Sequence, residues 1–284
     1  MAITAAQVNE LRQKTGAGML DCKKALEESN GDQEKAIEIL RKKGAATAAK
    51  RADRSANEGI VSTKVSDDRK FGVIVEVNCE TDFVAKSADF VNFSADVTGK
   101  AFENKVSSLE DLKTKYSGIE NDLVTLTGKV GEKTQVARVA SLTAGDGYIA
   151  DYIHPGAKLG VILSLSGVKD TASASTLAKD LAMQVAAMKP VSISRDGVPA
   201  EVVAKELDIY KELARKEGKP ENMLDRIAQG RLDKYYQENC LAEQVFIKDN
   251  SKTVTQLLAE YNKQHASEVK VASFIRYHLG DESK

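Results

Sequence analysis

Apolar positions recur at helical spacing in three short runs over the first 44 residues. Thr4 with Gln7 forms a capping box and Ile3 can pack on Val8, so a first helix is predicted from there to a stop at Thr15-Gly16. A second carries Met19, Leu20, Cys22, Ala25 and Leu26 and ends at Asn30-Gly31; a third runs from Asp32 through Ala36, Ile37 and Leu40 to Gly44. Three helices joined by glycine-containing turns predict a small bundle. From Ala45 to Gly59 no apolar residue is larger than alanine, and Lys50, Arg51 and Arg54 add charge, so this stretch reads as a linker with some helical content.

Past the linker the period changes and the pattern repeats. With Gly59 laid on Gly147, Ile60-Val61 falls on Tyr148-Ile149, Phe71 to Val75 falls on Leu159 to Leu163, and Val77 falls on Leu165, all at an offset of 88. Each copy holds two β-rich runs around a polar turn, Ser66 to Lys70 and His154 to Lys158, which predicts a hairpin. A helix follows each hairpin, Thr81 to about Phe102 and Thr176 to Lys189. Later come a helix and a strand in each half: Asp122 to Val130 and Val136 to Leu142, then Thr253 to Asn262 and Val269 to Leu279. The class is α+β: two related halves, each an antiparallel sheet backed by helices. The second half is interrupted. Pro199 can open a helix bearing Val203, Leu207, Tyr210 and Ala214; Glu217-Gly218-Lys219-Pro220 breaks it, and Leu224, Ile227, Arg231 and Tyr235 mark its return. This is an inserted antiparallel helical hairpin, expected to project. The expected units are 1–54, 55–143 and 144–284, with the hairpin at about 191–240.

Composition narrows the function classes. The 284 residues, 42% of them hydrophobic, can bury a substantial core. Lys and Arg number 41 against 42 Asp and Glu, for a net charge of −1, so no global field draws the chain to nucleic acid or an anionic membrane. No run approaches the ~18 consecutive apolar residues of a membrane span, and Met1-Ala2-Ile3-Thr4 does not begin a signal sequence. The three cysteines, Cys22, Cys79 and Cys240, are odd in number and far apart, which fits reduced thiols. A cytoplasmic location is expected.

Sockets for chemistry are missing from the sequence. It contains no P-loop, dinucleotide fingerprint, His-Glu-x-x-His or Gly-x-Ser-x-Gly. With His154, His265 and His278 as the only histidines, a zinc site would need distant parts, and no metal, cofactor or catalytic residue is expected. Cys22 beside Lys23 and Lys24 could be a reactive thiol, but the favoured reading is a small apolar residue on an inner face. Arg41-Lys42-Lys43 with Lys50, Arg51 and Arg54 could grip phosphates. No stacking aromatics interleave with them, so a solvated linker is favoured.

One corner stands out, "NCETDFVAKS" at residues 78–87. Val73, Val75 and Val77 give a strand with a buried face; Thr81 can cap the helix that follows, and Asp82 suits the positive end of its dipole. Val84, Ala88, Val91 and Ala95 would form the inward stripe, with Phe83 at its margin. Phe83 either pairs with Phe90 as core or stands out as an anchor for a protein partner. Spacing leaves both open.

The motifs here resemble those of the bacterial elongation factor Ts family, guanine-nucleotide exchange factors of elongation factor Tu. The resemblance rests on "ITAAQVNELRQKTGAGMLDCKKAL" at 3–26, "EVNCETDFVAK" at 76–86, "YIHPGAKLGVIL" at 152–163 and "FIRYHLG" at 274–280, in the family's order. It implies a ubiquitin-associated-like amino-terminal bundle, a core of two related subdomains and a coiled-coil module at the inserted hairpin. Thr81, Asp82, Phe83 and Val84 fill the family signature, in which the Asp-Phe pair enters the partner's GTPase domain near its magnesium. By the same resemblance His154 and Val130 make further contacts, and Leu11, Met19 and Leu20 form the bundle's apolar contact. The implied partner is elongation factor Tu, GDP-bound and nucleotide-free, with no direct nucleic acid and no membrane. A homodimer or two-plus-two complex through the hairpin or core stays open. Some family members continue into a further carboxy-terminal helical module, whereas here the last strand is followed by Asp281-Glu282-Ser283-Lys284, so that contact is not expected.

Overall fold

A computed structural model describes residues 3–281. Helices α1 (Ala5–Thr15), α2 (Met19–Glu28) and α3 (Gln33–Arg51) form the amino-terminal bundle. The Thr4–Gln7 capping box is present, and Gly16 closes α1 in the left-handed conformation that glycine adopts most readily. Leu11, Cys22, Ala25, Leu26 and Ala36 make the bundle core.

The third helix departs from expectation. It runs through Gly44 to Arg51, so the first part of the expected linker, 45–51, is helix. Alanine is the strongest helix former, and Gly44 serves another purpose than termination. There α3 crosses the later helix over Ile119–Val130 so closely that a Cβ on Gly128 would lie 2.9 Å from Gly44 Cα, and one on Gly44 3.2 Å from the Val124 carbonyl.

The first half consists of β1 (Glu58–Val65), β2 (Phe71–Cys79), α4 (Asp82–Ala85), α5 (Ala88–Glu103), α6 (Leu109–Lys115), α7 (Ile119–Val130) and β3 (Thr134–Thr143). The second has β4 (Tyr148–Ile153), β5 (Leu159–Ser166), α8 (Thr171–Met188), the hairpin α9 (Ala200–Lys216) and α10 (Leu224–Asn239), then β6 (Val245–Phe246), β7 (Asp249–Thr253), α11 (Val254–His265) and β8 (Lys270–His278). Two antiparallel sheets result, β1-β2-β3 and β4-β5-β8, with β6-β7 as a small ribbon. The class is α+β, as the pattern predicts; α6 and the ribbon have no signal in the pattern because each is too short to show a period.

The duplication holds at the level of register. Ile60 pairs with Val77 in one sheet and Tyr148 with Leu165 in the other. The pairing irregularity at Glu76/Val77 recurs at Ser164/Leu165. One face of each sheet packs on helices, through Val73, Val75 and Val77 with Phe90 and Leu112 in the first half and Val161, Leu163 and Leu165 with Leu177 and Leu181 in the second. The other faces meet through Val61, Ile74, Ile162 and Leu279. The contacts between halves are reciprocal: Val61 N–H donates to the Ala157 carbonyl at 2.7 Å, and Ile149 N–H donates to that of Arg69 at 2.8 Å. Arg138 spans the seam, its Nε donating to the buried Glu76 carboxylate at 2.6 Å and its guanidinium to the His278 carbonyl at 3.1 Å.

Two helices bury a different stripe from the expected one. The inward residues after the 78–87 corner are Phe90, Ser94, Val97, Thr98 and Ala101, while Ala88, Val91 and Ala95 face outward. The cause is a break: Lys86 ends α4 and Ser87 caps a new helix, resetting the rotational phase. In α10 the buried series is Leu224, Ala228, Leu232 and Tyr236, one position on from Ile227, Arg231 and Tyr235. Helix α8 begins at Thr171, since Asp170 caps it through the N–H groups of Ala172 and Ser173.

Candidate functional site

Strand β2 delivers the chain to the corner fully buried, ending at Cys79. Burial pushes the Cys79 thiol up to about 12, so it stays neutral, and its Sγ donates to the Thr81 carbonyl at 3.1 Å. Thr81 caps α4 by accepting from Val84 N–H. Within this single turn Ala85 points in and Val84 is half-buried. Phe83 points out, 83% exposed, whereas Phe90 is fully buried. The core reading of Phe83 is thereby excluded.

Two carboxylates hold the turn. Glu132 Oε2 accepts from Thr81 N–H at 2.9 Å and its Oε1 from the Thr81 hydroxyl at 2.7 Å. Glu80 Oε1 accepts from Lys133 N–H at 2.7 Å and from Arg51 at 2.7 Å, and Arg54 approaches its other oxygen at 3.4 Å. Asp82 pairs with Lys86 at 2.6 Å. That hydrogen bond, aided by the charges of Lys86 and Lys158, holds the Asp82 carboxyl below its ordinary range.

Val130 is half-buried at the end of α7; Gly131 closes that helix with a φ of 73°, and Glu132 follows, so the Val130 turn abuts α4. His154 is exposed, its Nδ1 2.8 Å from the Tyr152 hydroxyl. Its turn is drawn to the same corner by the Val61–Ala157 hydrogen bond and by Lys158, which pairs with Glu58 at 2.6 Å. Met19 and Leu20, 54% and 74% exposed, open α2 on the bundle. Leu11 is the exception: it is wholly buried in the bundle core with Cys22 and Leu26, so it supports the bundle from within and presents no contact surface.

Glu80 and Glu132 escaped the sequence reading. Their one signal is that Glu80 directly precedes Thr81 and Glu132 follows Val130 by two positions, since their partners lie about fifty positions away in the chain. Four residues of the basic cluster are paired within the molecule, Lys42 with Glu38, Lys43 with Asp21, and Arg51 and Arg54 with Glu80. Among the described residues no group of three or more His, Cys, Asp or Glu is assembled to hold a metal, and no helix is long and apolar enough to cross a membrane.

A helical bundle joined to two sheet-and-helix halves, with its two most exposed large apolar side chains, Phe83 and Leu20, on a clamped turn and a helix end, has the form of a macromolecule-binding protein. The family described as Elongation factor TS matches residues 80–281. Over 98% of this chain, the sequence is 51% identical to Elongation factor Ts of Chlorobaculum tepidum and 50% identical to that of Chlorobium phaeobacteroides, covering 99% of each relative. The chain belongs to the elongation factor Ts family, a family of translation elongation factors.

Proposed function

We propose that this protein binds elongation factor Tu in its GDP form and promotes GDP release, so that GTP can enter. The observation that carries this reading is Phe83, an aromatic ring held almost wholly in solvent on a turn whose backbone is tied down. An exposed phenylalanine is held out at the cost of unfavourable apolar hydration, and a partner that buries it gains about 1.5–3 kcal/mol. Entering beside the partner's bound magnesium, the ring and Asp82 would disturb metal and phosphate contacts. GTP hydrolysis remains the partner's chemistry, and this chain supplies no catalytic residue.

Thermodynamic linkage sets the scale. Exchange factor and nucleotide weaken each other's binding by the same factor, and a ten-thousandfold effect requires about 5.5 kcal/mol of differential binding. Phe83 alone falls short. The proposed remainder comes from Met19 and Leu20 on the bundle, from the Val130 turn, and from His154 on the second half. The working units are accordingly residues 1–54, 55–143 and 144–284, each with a contact. Stopped-flow release of fluorescent GDP from elongation factor Tu tests the reading: added protein should accelerate release in a saturable manner, and release at the spontaneous rate would exclude it.

A further inference from the structure

We propose that Glu80 and Glu132 are positioning residues for exchange, forming a reciprocal clamp that presents Phe83 to the partner in one orientation. This inference rests on the exchange reading above.

The geometry is mutual. Glu80, at the foot of α4, reaches across to the backbone N–H of Lys133; Glu132, in the turn after α7, reaches back to the backbone N–H and hydroxyl of Thr81. Each acid satisfies the chain segment that carries the other. The result is two turns, one bearing Phe83 and one following Val130, cross-tied by charge-assisted hydrogen bonds, which are roughly twice as strong as neutral ones.

Apart from the clamp, the direction of Phe83 rests on local restraints, the Thr81 cap, the Asp82–Lys86 pair and the half-buried Val84. Helix α4 is a single turn of four residues, too short to be stable alone. Ala85 is its one buried side chain. Without the clamp, the turn would sample many orientations, and binding would have to order it each time. The clamp also reaches the bundle. Arg51, at the end of α3, donates to Glu80, and Lys133 Nζ donates to the Ala52 and Arg54 carbonyls at 2.7 and 2.9 Å. The chain leaving the bundle and the turn that carries the ring are therefore one tied unit.

The test compares Glu132→Ala, Glu132→Gln and Glu80→Gln with the natural protein in release of fluorescent GDP from elongation factor Tu. Maximal rate and half-saturating concentration are measured separately, with thermal melts run alongside. Glu132→Ala should lower the maximal rate about tenfold, the equivalent of about 1.4 kcal/mol, with half-saturation moved less than about twofold. Glu132→Gln keeps one acceptor oxygen and should recover most of the rate. Glu80→Gln should act in the same direction about threefold, and it carries the test should Glu132→Ala melt early. Because the clamp acts through the ring, adding Glu132→Ala to Phe83→Ala should cost nothing further, a non-additivity that general destabilisation would not produce. Wild-type maximal rates in Glu132→Ala and Glu80→Gln, or full additivity with Phe83→Ala, would overturn the clamp alone. A natural protein that fails to accelerate release would overturn the exchange reading beneath it.

Discussion

Phe83 and Phe90 are the same side chain seven positions apart, and they end on opposite sides of the protein surface because Ser87 restarts the helix between them. Their substitutions should separate stability from activity. Phe83→Ala should leave the melting curve within the ±0.5 kcal/mol usual for surface changes and slow GDP release without abolishing partner binding; stopped-flow and melting data on one preparation decide it. Phe90→Ala should cost about 3–5 kcal/mol through the cavity it leaves. Glu80 brings a pH dependence. Burial pushes its carboxyl up, but the Lys133 N–H and the charges of Arg51 and Arg54 outweigh that and hold it below the ordinary 4.5. A carboxyl depressed in the folded state contributes fully above its ordinary value, and that contribution fades as pH falls through the lower folded one. Melts from neutral to acid pH should therefore show Glu80→Gln less stable than the natural protein near neutrality, the gap closing below pH 4.5.

Elements were readable wherever their signal is local. Thr4–Gln7 announces its helix, and the Val-rich β2 announces a strand, because a cap or an alternation is completed within a few residues. Glycine is ambiguous in a single sequence. Gly16 ends a helix, whereas Gly44 sits inside one, and only the presence of Gly128 on a distant helix shows why. The phase of α5 differs from the expected stripe for a related reason: Ser87 is a cap, a role a serine does not declare unless the preceding turn is known to stop. In the site, the exposure of Phe83 depended on that same break, and the Glu80–Glu132 ties depended on long-range pairing, so neither could be read from spacing. The Gly44–Gly128 crossing makes its own prediction. Gly128→Val should force α3 from α7 and destabilise by about 1–3 kcal/mol; limited proteolysis should then cut more readily between the bundle and β1.

At the scale of the whole molecule, Arg138 is held by an ion pair with buried Glu76 on the neighbouring strand of its own sheet, and from there it reaches the His278 carbonyl of the other sheet. Arg138→Ala would strand the Glu76 charge in the seam and should cost about 3–5 kcal/mol, measured by denaturant unfolding. The bundle acts at a different point: removal of residues 1–54 should leave the sheets folded and weaken partner binding, as titration calorimetry would register. The hydrogen bonds that Val61 gives Ala157 and Ile149 gives Arg69 occupy equivalent places in the two halves. A surface that recognises its own duplicate can also recognise a replica of itself. Residues 55–143 produced alone should therefore self-associate in twofold fashion, each β1 finding the hairpin turn of its twin, so that one polypeptide of this family holds, fused end to end, what two separate chains could assemble.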